Sequence, residues 1–176
     1  RLCFKDLNRK EILRKVNQVL LDFELDDVKH LKVGDPIRKF ISGGQRKRLN
    51  IALELIREPF ILFVDEPTSG LSSMDSEKLM LLLKEQTLKD KLVIVNIHQP
   101  FSDIFKLFDR ILILDKGGHT IYKGNPIDGL IYFKTLSKYV DADEGQCLNC
   151  GNIKPEEILK IVEAREVDEY GKLTRE

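Results

Sequence analysis

The stretch "ILFVDEPTSGL", residues 61–71, opens with four apolar residues in a row and closes on two acids, a proline and a glycine turn. So short a continuous apolar run is the mark of a strand covered on both faces. Leu92 to Ile97 is a second such run, and Ile111 to Leu114 a third. Between the first two, from about Asp75 to Leu88, the Leu79–Leu83 block reads as a helix. Strand, helix and strand in that order predict a crossover unit of a parallel sheet, hence an α/β fold.

Upstream, Asn8 with Glu11 three residues later predicts a capped helix whose apolar face is Ile12, Val16, Val19, Leu20 and Phe23. Gly34, Asp35 and Pro36 break the chain. A second helix is expected to start at Gly43 and Gly44, with Leu49, Ala52, Leu53 and Ile56 on one face, and to stop at Pro59. Arg46-Lys47-Arg48 reads as a solvated face of that helix. Downstream, Asp115-Lys116-Gly117-Gly118 reads as a turn and His119–Lys123 as the return strand of a hairpin. Gly124-Asn125-Pro126 precedes a helix with Ile127, Leu130, Ile131 and Phe133. A loop with Asp141, Asp143, Glu144 and Gly145 leads to a last helix opened by Pro155. Three parts are expected: a helical 1–58, an α/β 59–124 and a helical 125–176.

The chain has 176 residues, 42% of them hydrophobic and 33% charged, which suits a globular domain with a core. Lys+Arg and Asp+Glu are both 29, so the balance gives no nucleic-acid footprint. No run approaches the roughly 18 apolar residues that cross a bilayer. Three cysteines outside a secretory context argue for a reducing compartment. Cys147-x-x-Cys150 could be half a zinc knuckle, but structural zinc needs four ligands and only Cys3 and three scattered histidines remain. The opening Arg1-Leu2-Cys3-Phe4, with no initiator Met, suggests a chain cut from a larger protein.

Two adjacent acids at a strand end are costly unless something binds them. In P-loop NTPases an Asp at such a place helps hold Mg²⁺, and a following Glu can act as general base on water. Asp65 and Glu66 fit that pattern, or they are a charged strand end facing solvent. His98 stands at the carboxyl end of the second run, the edge where open α/β sheets bind ligands. It could contact a phosphoryl oxygen, or be a loop histidine satisfied by backbone. Ser42-Gly43-Gly44-Gln45 could clamp an anion at a helix N-terminus, or simply start the helix.

The three motifs occur together, with Ser42 23 residues before Asp65 and His98 33 after it. In that order they resemble the ABC ATPase family. "ISGGQ" is similar to its signature, "ILFVDE" to its Walker B strand, "SGLSS" to its D-loop and His98 to its switch histidine. "ISGGQRKRLNIALELI", "DEPTSGL", "NIHQPFSDIFKLFD" and "NIKPEEILKIVEA" resemble the G subfamily, the eye-pigment, sterol and multidrug half-transporters. The resemblance implies a P-loop NTPase core with the family's helical subdomain, and ATP and Mg²⁺ as cofactors. It implies a head-to-tail dimer with a second cassette, a transmembrane domain, and a place at the cytoplasmic face of a membrane. Ser42, Gly43, Gly44 and Gln45 would touch ATP held by the partner, Ser69, Gly70, Leu71 and Ser72 would form the D-loop, Glu66 and His98 would be catalytic, and Asp65 would serve Mg²⁺ through water.

The Gly-rich loop G-x-x-x-x-G-K-[ST] occurs nowhere in the 176 residues, so the expectation is the C-terminal part of a cassette, inactive alone. The family's D-loop has Asp where Ser72 stands; Ser72 reads also as a helix cap with Asp75 completing a capping box. Two other readings stand beside the transporter. One is the C-terminal lobe of a chromosome-maintenance or DNA-repair ATPase, against which the segment before Ile41 shows no sustained heptads. The other is a non-hydrolysing regulatory cassette, against which Glu66 and His98 are both present.

Overall fold

The computed structural model describes residues 4, 7–35, 38, 40–137 and 151–163. The acidic loop at 141–145 and the Cys147/Cys150 pair lie outside them. The chain forms two compact units, residues 1–98 and 99–176.

In the first unit, helix α1 (Arg9–Asp22) begins at the Asn8/Glu11 capping box. Helix α2 spans Gly43–Leu55. Strand β1 (Ile61–Asp65), helix α3 (Ser73–Thr87) and strand β2 (Leu92–Asn96) follow. The two strands pair in parallel from Ile61↔Leu92 to Asp65↔Asn96, with α3 as the crossover packed on β2. Phe23, Leu25, Ala52, Leu55, Leu62, Leu79, Met80 and Leu83 are buried.

Two expectations about this unit change. The strands alternate instead of being covered on both faces. Leu62 is 6% exposed, whereas Ile61, Phe63, Leu92 and Ile94 form an exposed row, Phe63 at 74%. A strand's side chains point to opposite faces in turn, so covering one face leaves every second residue bare. Helix α2 buries Gly44, Arg48, Ile51, Ala52 and Leu55, and leaves Leu53 exposed. The buried stripe runs at helical spacing through a charged residue, which the apolar pattern hid.

In the second unit, α4 (Ser102–Phe105) precedes strands β3 (Ile111–Leu114) and β4 (Thr120–Gly124). The third apolar run therefore pairs antiparallel with the hairpin's return strand. Gly117 and Gly118, at φ 79° and 80°, make the reversal that a side chain would strain. Helix α5 (Pro126–Leu136) starts at Asn125, whose side chain accepts from Ile127 N–H, and α6 spans Glu156–Glu163. Phe105, Leu130, Phe133, Ile153 and Ile158 form this unit's core. No helix among the described residues is long and apolar enough to cross a membrane.

Lys89, just beyond α3, binds Asp22 at the end of α1 at 2.8 Å, and Gln18 donates to the same carboxylate at 2.7 Å. Burial pushes the Asp22 carboxyl up, but both hydrogen bonds and the Lys89 charge outweigh it and hold its pKa below the ordinary value. A depressed carboxylate stabilises the fold above its unfolded pKa, and the contribution vanishes as pH falls through the folded one. Asp22→Asn should lower the melting temperature at pH 7, and the difference from the parent should narrow as pH falls below the ordinary carboxyl value of 3.8. Thermal melts of both proteins across that range check the sign.

Candidate functional site

The parallel register sets the carboxyl ends of β1 and β2 side by side. Asp65 closes β1, and Asn96, its partner across the ladder, donates from Nδ2 to Asp65 Oδ1 at 2.8 Å. Asp65 is exposed, and only Oδ1 is engaged by a protein donor among the described residues. His98 is exposed two residues past the end of β2. Glu66 is exposed and its backbone is left-handed, φ 41°. A residue with a Cβ enters that region at a cost of about 1 kcal/mol and stays only when its surroundings hold it. Its N–H donates to Asn96 O at 2.9 Å. Its carbonyl accepts from Ser69 N–H at 3.3 Å and from Lys47 Nζ at 2.8 Å.

The clamp candidate is the N-terminus of α2. Ser42 Oγ accepts from Gln45 N–H at 3.1 Å, and Gln45 Oε1 accepts from Ser42 N–H at 2.8 Å, a complete capping box. Ser42 and Gly43 are exposed at the positive end of a 13-residue helix. Gly44 is buried, and a Cβ there would stand 2.9 Å from Asp75 Oδ1; at Gly43 the nearest atom would be Leu71 Cδ2 at 3.9 Å. The first turn of α2 thus lies on residues 71–75. Ser72 caps α3, accepting from Asp75 N–H at 3.1 Å. The Asp75 carboxylate accepts from the Ser72 hydroxyl at 3.0 Å, so the box closes through the side chain and not through the Ser72 backbone. Gly70, at φ 74°, turns the chain between Ser69 and Leu71.

Arg46-Lys47-Arg48 is not a solvated face. Arg46 Nη2 donates to Val33 O at 3.2 Å and Asp35 O at 3.4 Å, pinning the loop before α2. Lys47 reaches the Glu66 carbonyl. Arg48 is 5% exposed, with Nη1 3.9 Å from Asp75 Oδ1, and neither its Nε nor its Nη1 makes a hydrogen bond among the described residues. Sequence reasoning also missed Asn96. A signal existed for Arg48: it falls one turn after Gly44 and one before Ala52, on the buried stripe. Nothing in sequence pointed Lys47 at Glu66, 19 residues away.

A family model described as "ABC transporter" matches residues 4–69. The chain is similar to the broad substrate specificity ATP-binding cassette transporter ABCG2 of Sus scrofa, 42% identical over 69% of the chain and 18% of that protein. It is similar to Protein white of Drosophila melanogaster, 35% identical over 97% of the chain and 24% of that protein. It therefore spans between 18% and 24% of these relatives' length. Among solved structures, cbiO1 from Clostridium perfringens, part of the ABC transporter complex cbiONQ, superposes with a TM-score of 0.61 at 28% identity, over 79% of this chain and 54% of that one.

The two glycines should respond differently to substitution. Asp75, held by Ser72 and facing Arg48, has little room to yield, so Gly44→Ala should cost about 1–3 kcal/mol. Gly43→Ala makes only an ordinary contact with Leu71 and should stay within about 0.5 kcal/mol of the parent. Urea unfolding of both variants measures the difference.

Proposed function

Since this chain belongs to the ATP-binding cassettes of ABC transporters, with G-type relatives, we propose that it is the signature-bearing half of an ATPase that powers transport across a membrane. One observation carries the reading. An acid pair at the end of a parallel strand and a glycine-led helix N-terminus occur in one unit, joined through the Lys47 bond to Glu66.

Each residue then has a task. The exposed Glu66 carboxylate accepts the proton of the water that attacks the γ-phosphate. His98 offers its ring to a phosphoryl oxygen. The donor set suits Mg²⁺, which takes one or two carboxylates, substrate phosphates and water. Asn96 occupies one Asp65 oxygen, and the other remains for the ion's water shell. When bound there, Mg²⁺ neutralises charge on the phosphates. Ser42, Gly43 and Gly44 serve the γ-phosphate of ATP on a second, head-to-tail cassette, where unpaired N–H groups and the helix dipole favour an anion. Gln45 keeps Ser42 in place through the capping box. Ser69 to Ser72 line the same junction, and Ser72 brings a hydroxyl where the family carries a carboxylate.

The cradle for the β- and γ-phosphates is a P-loop outside these 176 residues, on the half-cassette that would cover the exposed Ile61, Phe63, Leu92 and Ile94 row. Two such cassettes close on ATP and part after hydrolysis. That cycle drives an attached transmembrane domain from the cytoplasmic side.

The test is ATP turnover by the chain alone and by a version extended through a P-loop. The chain alone should be silent and the extended protein active. Glu66→Gln in the extended protein should slow turnover by ~100-fold or more and trap an ATP-bound dimer in size-exclusion chromatography. Turnover by the chain alone, or an unimpaired Glu66→Gln, would overturn the assignment.

A further inference from the structure

We propose that Lys47 is a positioning residue for Glu66: its ammonium holds the Glu66 carbonyl, and with it the left-handed backbone that presents the carboxylate. The inference rests on the reading of Glu66 as the general base.

Three bonds hold the Glu66 peptide groups, and they come from different places. The bond to Asn96 O continues the sheet ladder, and the bond from Ser69 N–H closes the local turn. The third, from Lys47 Nζ at 2.8 Å, comes from α2 and is the only charged one. A hydrogen bond from a charged donor is shorter and stronger than a neutral one. The ladder bond alone would let the following residues relax, because a strand does not require φ 41° at its end. Lys47 acts on the far side of that residue, at the carbonyl leading into Pro67, where the chain leaves the sheet.

The donor is itself held in place. Its neighbour Arg46 is bonded to the carbonyls of Val33 and Asp35, and Arg48 is buried opposite Asp75. Lys47 is half-buried between them, one turn from Ser42 and Gly43. Displacement of the first turn of α2 therefore moves the Glu66 carbonyl. Within one chain, the helix end offered to the partner's nucleotide is tied to the base that serves the chain's own. By linkage, occupancy of either site then biases the other.

The experiment compares Lys47→Met, which keeps the apolar stem without the donor, with Lys47→Arg, which restores one. In the 176-residue chain, amide hydrogen exchange is followed over residues 66–70 and over α3. Lys47→Met should raise exchange at residues 66–70 about tenfold, the loss of one charged hydrogen bond, with α3 unchanged, and Lys47→Arg should stay near the parent. In the protein extended through a P-loop, Lys47→Met should lower kcat by about tenfold or more while the KM for ATP stays within about twofold. Unchanged exchange at residues 66–70, or an equal rise throughout the unit, would overturn the proposal. So would a kcat equal to the parent's. If the extended parent shows no turnover, the general-base reading fails, while the exchange data still decide whether Lys47 holds this backbone.

Discussion

The parallel register of β1 against β2 is the constraint on which the site depends. Because Asp65 stands opposite Asn96, one strand end supplies a carboxylate and the other supplies the amide that orients it. Glu66 then leaves the sheet bonded to the same Asn96, through its carbonyl. A slip of one residue would turn Leu62 out and Phe63 in, exchanging every side chain between faces. It would also separate Asp65 from its amide. The one-sided burial of Leu62 therefore fixes the register, and with it the Asp65–Asn96 pair.

Helix α2 supplies the second half of the arrangement through three consecutive basic residues that point in three directions. Arg46 anchors the incoming loop, Lys47 reaches the strand end and Arg48 enters the interior facing Asp75. Successive residues on a helix are about 100° apart, so three of them can serve three neighbours while the helix stays regular. Arg48 is the costly member, because a buried guanidinium without full hydrogen bonding destabilises the fold. Its counterpart Asp75 also closes the cap of α3 with Ser72, so one carboxylate serves both helix ends.

Much of this was legible beforehand. The Asn8/Glu11 box, the Ser72 cap and the glycine hairpin rest on contacts between residues close in sequence, and the strand–helix–strand unit shows in the order of its apolar runs. What escaped involved partners far apart or hidden in an unexpected chemistry. By residue type alone, apolar Leu53 belongs to the core of α2 and charged Arg48 to solvent. The structure reverses both. The fold class followed from the apolar runs, but their covering did not, since a run apolar throughout does not say which of its faces has a neighbour. For the site, the motif residues stood out by type and order. Asn96 and Lys47, which hold them, are ordinary polar residues whose partners are defined only once strands and helices have assembled.

The bare row of Ile61, Phe63, Leu92 and Ile94 also bears on how the molecule is made. A two-stranded sheet is marginal on its own, and a parallel pair joined across a helix forms slowly. Until that row is covered, it is a β-rich surface able to stick to a second copy emerging nearby. Biosynthesis thus sets a race between intramolecular cover and intermolecular capture. Yield in a cell would depend on chain concentration and chaperone supply more than on the equilibrium stability of either unit.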